Sequence, residues 1–160
     1  MTEVRFYHLQ RKTLEQALPQ LLEKTLERGW RAVVMAGSEA RVEALNGLLW
    51  TYTREGFLPH GTKKDGHAER QPVWLTDSDE NPNNANVLFL VDGAESSRIS
   101  EFDLCCEVFD GRDDLAVAGA RDHWKICKES GFDLTYWQQT ERGGWEKKAE
   151  SRADDNESME

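Results

Sequence analysis

At 160 residues, with 30 acidic against 20 basic side chains and a formal net charge of −10, the chain suits one domain whose surface repels phosphate backbones. Nonspecific nucleic-acid binding is thereby disfavoured unless cations cluster locally, and a core of this size needs neither metal nor disulfides. Three cysteines, two of them adjacent at Cys105-Cys106, make no disulfide framework, and no apolar run suits a signal core or a membrane span; a reduced, cytoplasmic protein is expected.

Val4 to Leu9 (VRFYHL) reads as a strand of β-branched and aromatic residues. Thr13 with Gln16 forms a capping-box pattern, followed by Leu14, Leu18, Leu21, Leu22 and Leu26 at helical spacing and a stop at Gly29. Pro19 removes a backbone hydrogen bond there, so a kink or a later helix start is expected. Arg31 to Ala36 (RAVVMA) is short and apolar enough to be a central strand. Ser38 then caps a helix with Val42, Leu45, Leu48 and Leu49 on one face, ending near Trp50. Strand, helix, strand, helix at this spacing signals a parallel sheet with right-handed crossovers.

Gly61 to Arg70 (GTKKDGHAER) is a polar, glycine-bearing stretch read as a mobile loop. Short strands follow at Val73 to Leu75, Val87 to Val91 and Cys105 to Phe109, with the turn-rich NPNNAN before the second of these. A helix opens at Asp113 or Asp114 and runs to about Ser130, with Gly131 as an αL stop. Phe132 to Gln138 is the last strand, and Trp145 ends the ordered part. From Ala149 onward AESRADDNESME reads as a disordered acidic tail. The fold expected is thus a single α/β domain over residues 1–148, mainly a parallel sheet flanked by helices, with a tail at 149–160.

A parallel sheet of this kind raises the question of a nucleotide. Neither GxxxxGK[ST] nor GxGxxG is present; the turn after the first strand, QRKTLEQ, has no glycine, and GSEAR after the second has only Gly37. A degenerate phosphate site at Gly37-Ser38 stands against a plain N-cap. GxSxG, HExxH and CxxC are also absent, and His8, His60, His67 and His123 share no metal-ligand spacing. Cys127 and His123, at i and i+4, permit a thiol–imidazole contact, but no third orienting group is visible, which favours a buried structural cysteine.

Two surfaces remain. Arg121, Trp124, Lys125 and Lys128 fall on one helix face, at i, i+3, i+4 and i+7. This stripe reads either as a solvated face with Trp124 in the core, or as a clamp for an acidic or C-terminal peptide, Arg forking a carboxylate while the aromatic walls an apolar side chain. Direct single-stranded DNA binding through the same stripe is a further reading, opposed by the net charge. The second surface joins Leu49-Trp50 and Tyr52 to GFLPHG (Gly56 to Gly61). It folds inward as core or stays exposed as an anchor for a partner.

The order of several motifs resembles the chi subunit of bacterial DNA polymerase III holoenzyme over about Val4 to Trp137. They are FYHL in the first strand, Leu49-Trp50, Phe57 to His60, Pro72-Val73, NPNNANVLFLVDG, CEVFDG at Cys106 to Gly111, and AR-x-x-W-K-x-x-K-x-x-G from Ala120 to Gly131. The resemblance implies a Rossmann-like fold without a nucleotide-binding motif, in a non-catalytic adaptor that needs no cofactor. It implies that the adaptor links the psi subunit of the clamp loader to the acidic, phenylalanine-ending C-terminal tail of single-stranded-DNA-binding protein. It also implies that Arg121 and Lys125, with Lys128 beside them, contact that tail and that Trp124 lines the phenylalanine pocket, where the family can carry Tyr. Trp50, Phe57 and Pro59 would face psi. Basic positions that precede the arginine in some members are replaced here by Val117 and Ala118, and the acidic tail lies beyond the shorter family form.

Overall fold

A computed structural model describes residues 2–52 and 58–152. Seven strands form one sheet in the order β3-β2-β4-β5-β1-β6-β7. They are β1 (Glu3–Leu9), β2 (Ala32–Met35), β3 (Val73–Thr76), β4 (Val87–Leu90), β5 (Leu104–Asp110), β6 (Asp133–Gln139) and β7 (Trp145–Ser151). All pairings are parallel except β6 with β7. The helices are α1 (Leu14–Glu27), α2 (Glu39–Thr51) and α3 (Asp114–Glu129).

The period-2 alternation of each strand feeds two separate cores, one per sheet face. Tyr7, Leu9, Val34, Phe89, Cys106 and Val108 pack under α1 and α2, against Leu18, Leu22, Val42, Leu45 and Leu49. Val4, Phe6, Val33, Leu88, Cys105 and Leu134 pack under α3, against Ala120 and Cys127. Strands covered on both faces carry unbroken apolar runs, as AVVM in β2 and VLFL in β4 do. Cys105 and Cys106 point to opposite faces, both buried and unbridged.

The caps fall where the side chains allow. Thr13 Oγ1 accepts from Gln16 N and Gln16 Oε1 accepts from Thr13 N, closing the capping box of α1. That helix starts at Leu14, ahead of Pro19, whose buried ring sits inside it. Ser38 caps α2, Asp113 caps α3, and Gly131 takes φ +84 just beyond α3. The Gly61–Arg70 stretch, expected as a mobile loop, holds a turn in which Thr62 N donates to Asp65, followed by a 3-10 turn at Ala68–Arg70.

The C-terminal boundary differs from expectation. Trp145 does not end the ordered part; it opens β7, so the 148/149 boundary falls inside a strand that continues to Ser151. The sequence WEKKAES hid it because an edge strand with mostly solvated side chains shows no apolar alternation; its ladder to β6 and the contact of Trp145 with Tyr7 hold it. The remainder of the expected tail, 153–160, lies outside the described residues.

Candidate functional site

α3 docks through Ala116, Ala120, His123, Trp124 and Cys127, spaced so that one stripe meets the sheet. Trp124 is half-buried: its ring lies 5.4 Å from that of Phe6 and 6.2 Å from that of Tyr136. It therefore serves as core and as surface at once, which dissolves the choice posed by the sequence. Arg121 and Lys125 flank it, both exposed, and neither forms a salt bridge among the described residues. Lys128, one turn further, is half-buried. The four stripe residues are thus brought onto one face, and the indole is anchored from below by two aromatic rings.

Two residues absent from the expected set complete this patch. His8 at the end of β1 and Tyr136 on β6 point to the α3 side, where His8 Nδ1 lies 2.7 Å from Tyr136 Oη. Burial, reinforced by the Arg121 charge, lowers the His8 pKa and leaves the imidazole neutral near pH 7. Burial raises that of Tyr136. Strand parity was the available signal: with Val4 and Phe6 facing α3, His8 must follow, as Tyr136 follows Leu134.

A family model described as "DNA polymerase III chi subunit, HolC" matches residues 1–135. The chain belongs to the DNA polymerase III chi subunit family. It is 33% identical over 109 residues to a "Probable DNA polymerase III subunit chi" of Rickettsia prowazekii (strain Madrid E), covering 68% of this chain and 66% of that protein, just under two thirds of its length. It is 26% identical over 138 residues to a "DNA polymerase III subunit chi" of Pseudomonas aeruginosa, covering 84% and 94%. The family is one of accessory subunits of a replicative polymerase, and β7 lies beyond the matched residues of this chain.

The second surface is divided between core and solvent among the described residues. Leu49 and Leu58 turn into the core, and the Tyr52 hydroxyl donates to Glu23. Trp50 stays 58% exposed, its ring 4.9 Å from that of buried His60, with Pro59 half-buried beside them. Phe57 lies outside the described residues. Because Trp50 ends a helix on the α1–α2 face and the stripe lies on α3, the two surfaces occupy opposite faces of the sheet.

Outside the carboxyl ends of β1, β4 and β5, where doubly wound sheets hold nucleotides, lies a cavity of about 520 Å³. Its phosphate-binding features are already engaged. Gln139 Oε1 accepts from the successive amides of Gln10, Arg11 and Lys12, at 3.2, 2.7 and 2.8 Å. Thr13, Ser38 and Asp113 cap the three helix N-termini, and Arg41 spans the mouth between Glu15 (3.1 Å) and Asp92 (2.8 Å). Ser38 is the plain N-cap, its Oγ 3.2 Å from Arg41 N.

Cys127 Sγ lies 3.4 Å from His123 Nε2, and His123 Nδ1 is in short contact with the Glu107 carboxylate. Glu107 is the third group that sequence spacing did not reveal, because it comes from β5, sixteen positions away. Hydrogen bonds to Cys127 and Glu107 push the His123 pKa up to about 10. With the thiol only 1% exposed, this row fastens α3 to the sheet: an imidazolium joins a helix to a central strand.

Proposed function

We propose that this chi-family protein is a non-catalytic adaptor whose α3 face grips the acidic, phenylalanine-ending C-terminal tail of single-stranded-DNA-binding protein. Support comes chiefly from one observation: exposed Arg121 and Lys125 flank a half-buried Trp124 on a protein of net charge −10. Arg121 forks a carboxylate of the tail, Lys125 and Lys128 add point charges, and Trp124 walls the terminal phenylalanine. In the same reading Trp50, Pro59 and Phe57 face the psi subunit. Exposure of Trp50 on the opposite sheet face favours this, since both clients then bind without collision.

Titration with an acidic peptide ending in phenylalanine tests the grip, beside the same peptide lacking that residue. Binding of the first and a loss of about tenfold or more for the second is the expected result, a fully buried aromatic being worth over about 1.5 kcal/mol. Equal binding of both would overturn the pocket, and no binding of either would overturn the site.

A further inference from the structure

Tyr136 is held by aromatic rings on several sides. It stacks on Phe6 at 6.5 Å and meets Phe109, His8 and Trp124 at 6.0, 5.9 and 6.2 Å. A ring packed this way keeps one orientation, so its hydroxyl is fixed beside the α3 stripe. That hydroxyl has a single hydrogen-bond partner among the described residues, His8 Nδ1 at 2.7 Å. What the bond leaves over depends on which nitrogen of His8 carries the proton.

The far nitrogen settles this. His8 Nε2 is buried without a hydrogen-bond partner among the described residues, and a Cβ on Gly111 would stand 2.0 Å from it. In a neutral imidazole one nitrogen bears the hydrogen and the other a bare lone pair. A buried N–H with no acceptor is the rarer and costlier defect, a buried lone pair the milder one. Nε2 therefore keeps the lone pair, and Nδ1–H donates to Tyr136 Oη. The phenol proton must then turn away from His8. Burial raises the Tyr136 pKa against the opposing pull of the Arg121 charge, so the phenol holds that proton near pH 7. Arg121 lies close enough for its charge to reach both residues, and a guanidinium likewise offers donors only.

Donors without an acceptor, next to an indole, suit a group of lone pairs alone: a carboxylate. A terminal phenylalanine carries its α-carboxylate on the carbon adjoining its side chain, so a ring seated on Trp124 brings that carboxylate to the neighbouring Tyr136. We propose that the Tyr136 hydroxyl, oriented by His8, donates to the C-terminal carboxylate of the client and shares it with Arg121. The inference rests on the reading of α3 as an acidic-peptide grip and names which carboxylate is read. The oxygens have lone pairs enough for the guanidinium fork and the phenol together. A carboxamide in the same place would turn an N–H toward donors, so the site selects a free chain end.

The test titrates the whole chain and its Tyr136→Phe variant with an acidic, phenylalanine-ending peptide, once as the free acid and once amidated. Wild type should favour the free acid by about a hundredfold, and Tyr136→Phe should cut that preference about tenfold while binding the amide as wild type does. A merely structural role of the ring would shift both peptides alike. Nitrogen NMR of the peptide-free chain should place the His8 proton on Nδ1. An undiminished preference in Tyr136→Phe, or a proton on Nε2, would overturn the proposal with the grip intact. Equal binding of acid and amide by wild type would also overturn it, assigning recognition to side-chain carboxylates. No binding of either peptide would remove the grip and the proposal with it.

Discussion

At the scale of single residues, Arg121 and Gly111 make opposite demands. Arg121 is exposed and forms no salt bridge among the described residues, so its removal should cost the fold less than about 0.5 kcal/mol. Tail binding should weaken by about 1.5–3 kcal/mol in R121A, the worth of hydrogen bonds to a charged group. NMR titration of His8 offers an independent check: losing the cation should raise its pKa, since Arg121 is one of the forces lowering it. Gly111 follows β5 directly and packs close against the end of β1. A Cβ there would stand 2.0 Å from His8 Nε2 and 2.6 Å from the Leu9 carbonyl oxygen. Gly111→Ala must therefore move backbone as well as the imidazole, and chemical denaturation should show a loss of about 1–3 kcal/mol. Its place in CEVFDG, at the end of a strand, is explained by that close approach.

Among the elements, α3 is bolted to the sheet and also carries the proposed grip. Its bolt is His123 between Glu107 and Cys127, and its pH dependence has a definite sign. The folded pKa of about 10 lies above the unfolded value near 6.5, so the stabilisation is complete below about pH 6.5 and drains away as pH rises toward 10. Thermal melts of the wild type should fall across that window more steeply than those of His123→Gln. Burial raises the Cys105 and Cys106 thiols, which in the folded state resist ionisation and so add their own loss above about pH 8.5. That part is common to both proteins, leaving pH 6.5 to 8.5 as the window where the histidine acts alone. Removing the imidazole altogether, as His123→Ala, should cost roughly 2–3 kcal/mol, under the full price of breaking a buried pair because both partners keep some exposure.

The elements also show what could be read from sequence. Caps at Thr13, Ser38 and Asp113 and the apolar runs of β2 and β4 were legible because each rests on local chemistry or on a period. β7 was not, since an exposed edge strand is defined by its partner β6 rather than by its own residues. The stripe on α3 was legible from i, i+3, i+4 spacing, but Glu107, His8 and Tyr136 reach it from other strands, and only parity in an assembled sheet places them there. For the region of Leu49 and Leu58 the sequence leaves core and exposed anchor both open, and the two leucines turn inward because the α2 side of the sheet needs covering.

For the whole molecule, the proposed adaptor needs two separable hands, and α3 and the end of α2 lie on opposite faces of the sheet. Charge organises the first hand. Against a background of −10, a short basic stripe attracts an acidic segment at close range, so binding should weaken steadily as salt rises from about 0.05 to 0.5 M. Trp50→Ala should leave that salt dependence and the affinity for the acidic peptide unchanged, because the exposed indole is across the sheet. Calorimetric titration of intact single-stranded-DNA-binding protein into wild type and into the R121A/K125A variant, with melting curves for both, bears most directly on the grip. The expected result is about a hundredfold weaker binding by the variant or none detectable, at an unchanged melting temperature; wild-type affinity in the double variant would contradict the assignment of α3 as the grip.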